Sequence, residues 1–274
     1  MQNEGSNQAN NEALSQLLEI MQTLRNPEGG CPWDLKQTFA SIVPHTLEEA
    51  YEVADCIERD DLSELKGELG DLLFQIVFYA QLAQEQQLFD FNDVVNTLNE
   101  KLVRRHPHVF SSQDTPTTDA ELAAQWQAIK AQERATRAQD ESSILWQDIP
   151  NSLPSLTKAK KIQQRVAALG FDWPTYHGAI DKVSEEVEEV KEALAHNPYS
   201  AHTAEELGDL LFATVNVARH VKRDPEQLLR SANDKFSARF EKVQNYLIAH
   251  DKCIESASLE EMDAAWDAIK KLNK

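Results

Sequence analysis

The chain has 274 residues, enough for one large domain or two modest ones. Hydrophobic residues make up 41% of it, which supports a folded core. The formal net charge of −19 argues against a duplex nucleic acid or a membrane surface as partner, because both attract basic patches. Segments with a 3.6-residue hydrophobic period occur throughout and strand-like alternation is scarce, so the sequence predicts an all-α fold.

The hydrophobic periodicity predicts a series of helices separated by segments rich in Pro, Gly, Asn and Asp. The first 12 residues are polar and are expected to be disordered. Residues 139–155 contain Pro150 and Pro154 and are predicted to link an N-terminal domain, 1–138, to a C-terminal domain, 156–274. The helices are expected at about residues 13–24, 46–59, 62–84, 92–104, 119–138, 156–168, 176–195, 203–222, 225–248 and 258–271.

Two neighbouring helices of the C-terminal half carry carboxylates beside their apolar faces. Glu186 and Glu189 lie three residues apart on one helix, and Glu206 and Asp209 lie three apart on the next. Acidic groups in such places are costly unless a cation or a donor compensates them. On antiparallel helices the four side chains would supply the oxygen ligands that Mg²⁺ or Mn²⁺ prefers. The alternative is an ordinary solvated acidic face.

The same order of residues occurs about 138 positions earlier, as an N-terminal repeat of the C-terminal pattern. TLEEAYEVAD has the spacing of VSEEVEEVKE, and GELGDLLF matches EELGDLLF. Downstream in both repeats come a Lys and an Arg four residues apart, then a Trp and a Lys four residues apart. A repeat of this length is typical of a duplicated domain. In the N-terminal repeat, a second candidate site, the residues are Glu49, Glu52, Glu68, Asp71, Lys101, Arg105, Trp126 and Lys130.

Two details of the repeats bear on the candidate sites. Gly70 and Gly208 lie between the Glu and the Asp of the second acidic helix in each repeat. Because a glycine inside a helix costs up to about 1 kcal/mol relative to alanine, its recurrence predicts close approach of another helix. The repeats differ one turn before the first acidic pair, where Lys182 in the C-terminal repeat corresponds to His45. Histidine supplies less fixed positive charge at neutral pH.

The paired EExxE and ExxD segments resemble those of the all-α nucleoside triphosphate pyrophosphohydrolases, and their tandem arrangement resembles the MazG family. The resemblance covers nearly the whole chain beyond the polar N-terminus. It implies a homodimer with a helical bundle in each domain. It also implies Mg²⁺-dependent hydrolysis of nucleoside triphosphates to monophosphate and pyrophosphate, with broad base specificity and with Mn²⁺ as a substitute ion.

Carried over by position, the resemblance implies a set of functional residues in the C-terminal repeat, which is expected to be the main catalytic one. Basic side chains would neutralise phosphate charge, and Trp266 would stack on a base. The implied metal ligands are Glu186, Glu189, Glu206 and Asp209; the catalytic residues are Glu185, Glu186 and Glu189; the substrate contacts are Lys182, Glu185, Lys235, Arg239, Trp266 and Lys270.

Other interpretations stay open from the sequence. One is a narrower pyrophosphohydrolase acting on dUTP, dCTP or phosphoribosyl-ATP. Another is a non-enzymatic helical scaffold whose acidic faces bind a basic partner.

The N-terminus lacks the charged-then-apolar profile of a signal peptide, and no apolar run reaches the roughly 20 residues of a membrane span. With three scattered cysteines, this predicts a cytoplasmic protein without a membrane segment.

Overall fold

The structure, a computed structural model of the chain, describes residues 2–111, 118–137, 145–146 and 149–272. Within these ranges the regular elements are helices and no β-strand occurs, which confirms the predicted all-α class. The chain divides into two compact units, Met1–Ile129 and Lys130–Lys274. The domain limits at 138 and 156 stay predictions, and residues 139–144, 147 and 148 of the expected linker lie outside the described ranges.

The helices of the first unit are α1 (Gln2–Leu24), α2 (Phe39–Glu58), α3 (Leu62–Glu85), α4 (Phe91–Arg105), α5 (Pro107–Phe110) and α6 (Asp119–Arg137), with a 3₁₀ turn at Asp34–Lys36. Helix α3 is central, because it packs against α1, α2 and α4. The boundary between the units falls inside α6. The buried apolar core of this unit comes from α1, α2 and α3 and consists of Met21, Ile42, Val77, Phe78 and Leu82.

The helices of the second unit are α7 (Ser155–Ala167), α8 (Tyr176–His196), α9 (Ala201–His220), α10 (Pro225–Ile248) and α11 (Leu259–Leu272). Helix α9 is central here, packed against α7, α8 and α10, and α11 packs on α10. Thus α8 and α9 form the same helical hairpin as α2 and α3. None of the helices in the described ranges combines the length and hydrophobicity that crossing a bilayer requires.

Side-chain caps explain where two long helices begin. The Asp61 carboxylate accepts hydrogen bonds from the backbone N–H groups of Ser63 and Glu64 and starts α3. Asp224 does the same for α10, where Pro225 occupies the first helical position and has no N–H to satisfy. The predicted starts at residues 62 and 225 are therefore confirmed.

Two other helix starts were predicted wrongly. Helix α1 begins at Gln2, where disorder was expected; a helix nucleated by the Leu-rich segment extends cheaply, because propagation costs far less than nucleation. Helix α2 begins at Phe39 instead of residue 46 and contains Pro44. A reciprocal capping box between Thr38 and Ser41 fixes this earlier start. Its two hydrogen bonds offset part of the cost of the helix hydrogen bond that Pro44 cannot donate.

The interpretation of the helical glycines was also wrong. A Cβ atom added at Gly70 or Gly208 would meet no heavy atom within 4 Å. Neither glycine therefore accommodates a close neighbour within its own unit.

A salt bridge ties the residue that follows α1, Arg25, to the end of α3 in the first unit. The Arg25 guanidinium donates from Nε to Glu85 Oε1 at 2.7 Å and from Nη2 to Glu85 Oε2 at 2.6 Å. A third donor, Nη1, binds the backbone carbonyl of Asp34. Arg25 is buried, and its hydrogen bonds hold the pKa of Glu85 below the usual range.

We predict that Glu85→Gln lowers the free energy of unfolding of the first unit by about 2 kcal/mol, because a buried guanidinium loses its charged partner. The folded state lowers the pKa of Glu85. The destabilisation caused by Glu85→Gln is therefore complete above the pKa of the unfolded state, about 4.3, and disappears as the pH falls through the lower pKa of the folded state. Urea unfolding at pH 7 and pH 3 measures the destabilisation and its dependence on pH. Glu19→Gln is the control, because Glu19 is exposed on α1. Equal stability of both variants at pH 7 would contradict the prediction.

Candidate active site

The hairpin of α8 and α9 gathers carboxylates from both helices into one cluster. One carboxylate oxygen from each of Glu186, Glu206 and Asp209 lies within 4.8 Å of the others. The three-residue spacing on α9 puts Glu206 and Asp209 on the same helix face, and the short loop between the helices turns that face towards α8. Three of the four predicted metal ligands are therefore neighbours.

Glu186 is the buried member of the cluster, with 4% of its surface exposed. Its Oε1 pairs with Lys182 Nζ at 2.8 Å, one helical turn away. Its Oε2 is buried and has no hydrogen-bond partner. A buried carboxylate oxygen without a donor is destabilising by itself, so this atom fits a site that a cation completes. Oxygen ligands alone match a hard divalent ion such as Mg²⁺ or Mn²⁺.

Lys182 is shared between two carboxylates. Its ammonium group also donates to Glu185 Oε1 at 2.8 Å, and these two bonds raise the pKa of the lysine above its ordinary value. The lysine therefore stays charged and compensates part of the negative charge of the cluster.

Glu189, the fourth predicted ligand, lies one turn beyond Glu186 on the exposed side of α8. Loss of hydration and then the charge of Glu186 raise its pKa, with Glu206 adding to the effect and Lys182 opposing it. Glu206 is also paired, through Oε1, with His202 Nδ1 at 3.2 Å. The carboxylates repel one another, and a divalent cation would remove this repulsion.

The N-terminal repeat builds a matching cluster between α2 and α3. Glu49, Glu68 and Asp71 each place one carboxylate oxygen within 4.8 Å of the others. Loss of hydration, reinforced by neighbouring carboxylates that include Glu52, raises the pKa values of Glu49 and Glu68. No lysine occupies the position of Lys182; His45 lies there, 3.7 Å from Glu48.

The predicted arginine and tryptophan of each repeat lie beside each other. On α10 and α11, the Arg239 guanidinium lies 5.0 Å from the centre of the Trp266 ring, which also contacts Phe236. In the N-terminal repeat Arg105 lies 6.0 Å from the Trp126 ring. Lys235 and Lys270 are exposed on α10 and α11, Lys101 is half-buried on α4, and Lys130 is half-buried on α6.

A pocket of about 370 Å³ opens beside the C-terminal cluster, between α7, α8 and α9. Lys182, Glu186 and Asp209 line one part of it. The sequence patterns predicted those three residues as site residues but missed others on α7, on α9 and in the loop before α8. The lining residues that were missed include Gln163, Phe171, Trp173, Phe212 and Asn216. The recurrence of Trp33 as Trp173 was the available signal.

We predict that Lys182→Gln increases the affinity for Mn²⁺ roughly tenfold in the absence of nucleotide, because one positive charge that competes for Glu186 is removed. Titration followed by electron paramagnetic resonance measures this affinity. Lys191→Gln is the matched control, since Lys191 pairs with the exposed Glu188 on the same helix. An unchanged or weaker affinity in Lys182→Gln would show that the lysine does not compete with a cation.

Comparison with known proteins agrees with this geometry. Residues 37–110 and 175–245 match the MazG nucleotide pyrophosphohydrolase domain, and the two segments contain the two carboxylate clusters. A nucleoside triphosphate pyrophosphohydrolase of Escherichia coli strain K12 is 50% identical over 259 residues, which cover 94% of this chain and 97% of that protein.

Two further relatives extend the comparison. The nucleoside triphosphate pyrophosphohydrolase/pyrophosphatase MazG of Thermotoga maritima is 41% identical over 257 residues, covering 94% of this chain and 95% of that protein. A nucleoside triphosphate pyrophosphohydrolase of Mycobacterium tuberculosis is 34% identical over 162 residues, 58% of this chain and 46% of that protein. The chain thus belongs to the MazG nucleotide pyrophosphohydrolase family and carries its domain twice.

Proposed function

We propose that the chain hydrolyses nucleoside triphosphates to nucleoside monophosphate and pyrophosphate in a reaction that depends on Mg²⁺. The observation that carries the proposal is the cluster of Glu186, Glu206 and Asp209, in which a buried carboxylate oxygen lacks any partner. Family membership supports the reaction, because the relatives from E. coli and T. maritima are named as nucleoside triphosphate pyrophosphohydrolases.

Glu186, Glu189, Glu206 and Asp209 would hold the divalent ions. When bound, these ions supply positive charge against the triphosphate and lower the pKa of a coordinated water. Lys182 adds a fixed positive charge at the edge of the pocket and keeps Glu185 and Glu186 in place through its two bonds. Phosphoryl chemistry depends mainly on positioning and charge neutralisation, so this arrangement needs no covalent nucleophile.

The C-terminal repeat is proposed as the main catalytic one. Lys182 lies 2.8 Å from the buried carboxylate of Glu186, whereas His45 at the matching position has no such fixed charge. A permanent cation beside the metal ligands stabilises the negative charge of the triphosphate and of the attacking oxygen. The cluster of the N-terminal repeat offers a second set of carboxylate oxygens for a divalent ion.

Lys235, Arg239, Trp266 and Lys270 remain proposed substrate contacts. Arg239 and Trp266 are neighbours on α10 and α11, so the guanidinium is available beside an aromatic surface. Broad base specificity is consistent with recognition through stacking and charge, which every nucleotide offers.

A homodimer is proposed from the apolar side chains that the equivalent helices expose. Leu207 and Leu211 lie one turn apart on the surface of α9, with Leu211 61% exposed. Their counterparts on α3 are Leu69 and Leu73, which are also exposed. Exposed apolar stripes of this kind mark association surfaces, and a twofold dimer is the commonest way to cover them. A cytoplasmic location stays a prediction from the sequence.

We predict that Asp209→Asn or Glu189→Gln reduces pyrophosphate release from a mixture of nucleoside triphosphates with Mg²⁺ at least a hundredfold, because a ligand or its charge is lost. The matched control is Glu188→Gln, since Glu188 is exposed and pairs only with Lys191 among the contacts described. Circular dichroism verifies the helices. Near-normal turnover in a folded Asp209→Asn protein, or release of orthophosphate alone by the wild type, would contradict the proposed reaction.

Matched variants in the two repeats test where the reaction takes place. We expect Asp71→Asn to keep at least half of the wild-type pyrophosphate release, whereas Asp209→Asn abolishes it, because the two residues occupy equivalent places in separate clusters. Initial rates at saturating Mg²⁺ give the comparison. Equal losses in both variants would assign the reaction to both repeats.

A further inference from the structure

The carboxylate cluster of the first unit differs from that of the second unit in the side chains that surround it. In the second unit the ammonium group of Lys182 pairs with the buried carboxylate of the cluster. In the first unit the cluster consists of Glu49, Glu68 and Asp71, and within the described ranges no lysine or arginine forms an ion pair with any of them. We propose that the first unit holds a resident divalent cation at this cluster, bound without a nucleotide, and that Gln75 supplies a further oxygen ligand.

Gln75 is the observation that points to a ligand beyond the carboxylates themselves. It is 5% exposed, and its Oε1 is buried without a hydrogen-bond partner. A buried acceptor in this state is costly unless a donor or a cation meets it. Gln75 lies one turn beyond Asp71 and two turns beyond Glu68, so the three side chains share one face of α3.

Contacts on both sides of Gln75 show that this face of α3 is turned towards α2. On one side, a carboxylate oxygen of Asp71 lies within 4.8 Å of one of Glu49. On the other side, the hydroxyl groups of Tyr79 and Thr46 lie 2.9 Å apart. Because Gln75 lies between these two contacts, its amide borders the carboxylate cluster on the side of the buried core. The amide oxygen is therefore available to an ion that the carboxylates hold.

The chemistry of these oxygens indicates which class of ion the site takes. Three carboxylates supply negative charge, and the amide oxygen of Gln75 adds a neutral ligand. Hard divalent cations such as Mg²⁺, Mn²⁺ and Ca²⁺ bind carboxylate and amide oxygens, whereas softer ions favour sulfur and imidazole. The ligand set therefore selects a hard divalent cation.

The second unit lacks the polar side chains that border the cluster of the first unit. Ala213 stands where α3 has Gln75, and Val183 and Val217 stand where the first unit has Thr46 and Tyr79. The amide oxygen is thus an addition of the first unit and not a shared part of the duplicated domain.

The position of Lys182 explains why the two units differ in their affinity for an ion when no nucleotide is bound. The ammonium group of Lys182 binds one oxygen of Glu186 and competes there with a cation. In the first unit His45 takes this position, and its ring lies against Trp33, with ring centres 5.8 Å apart. Its Nδ1 is 3.7 Å from Glu48, which is not part of the cluster. Among the described residues, no lysine competes for the carboxylates of the first unit.

Binding of Mn²⁺ to the full chain without nucleotide tests the resident ion. Two variants separate the clusters: Asp209→Asn weakens the cluster of the second unit, and Asp71→Asn weakens that of the first. Titrations followed by electron paramagnetic resonance are expected to show one Mn²⁺ per chain in Asp209→Asn. This ion is expected to bind about tenfold more tightly than the Mn²⁺ that Asp71→Asn retains, because no lysine competes with it.

Two further changes in the Asp209→Asn background test the proposed surroundings of the ion. Gln75→Met removes the amide oxygen at similar volume, and His45→Lys introduces the lysine of the second unit. Each is expected to weaken Mn²⁺ binding about tenfold. Gln84→Met, exposed on α3, is the matched control and keeps the affinity. Saturating Mn²⁺ is also expected to raise the urea midpoint of Asp209→Asn, and to raise it less after Gln75→Met.

Absence of Mn²⁺ binding in Asp209→Asn without nucleotide, or an unchanged affinity in either folded further variant, overturns the proposal. If Gln75→Met does not fold, His45→Lys decides, because its side chain lies at the half-exposed edge of the cluster. The inference does not rest on hydrolysis. If Mn²⁺ binds as expected but the wild type releases no pyrophosphate, the resident ion stands and only the proposed function fails.

Discussion

The buried carboxylate of Glu186 is the constraint on which the C-terminal repeat depends. One oxygen is paired with Lys182, and the other is buried without a partner. A folded protein tolerates such an atom only where other contacts hold the helix in place. Here the packing of α8 against α9 supplies those contacts. The same packing brings Glu206 and Asp209 towards Glu186, so the three carboxylates that could hold a cation lie together in the folded chain.

Duplication explains how one chain contains two versions of this arrangement. Both repeats place three carboxylates on a central hairpin, and both pair an Arg with a Trp downstream. The differences lie around the clusters. The C-terminal repeat has Lys182 where the N-terminal repeat has His45. It has Ala179 and Asn216 where the N-terminal repeat has Ile42 and Phe78, which belong to the core of the first unit. The two repeats therefore share the carboxylate cluster and differ in the residues around it.

Much of the fold could be predicted because hydrophobic period, caps and proline act locally. Helices α3 and α10 begin where Asp61 and Asp224 cap them. Carboxylates three residues apart share a helix face, so their cluster followed from the sequence. One failure was local, because the capping box at Thr38 outweighs Pro44. The others were tertiary: Gln163 reaches the pocket from another helix, and a Cβ atom added at Gly208 would meet no heavy atom within 4 Å. Spacing along the chain carries no signal for such contacts.

Anomalous scattering from crystals grown with Mn²⁺ shows most directly whether the carboxylates of α8 and α9 hold an ion. We expect a manganese peak within bonding distance of oxygens of Glu186, Glu206 and Asp209, with the second oxygen of Glu186 no longer unpaired. A cluster without a peak at saturating Mn²⁺, or manganese bound only elsewhere, would show that α8 and α9 do not together hold the ion.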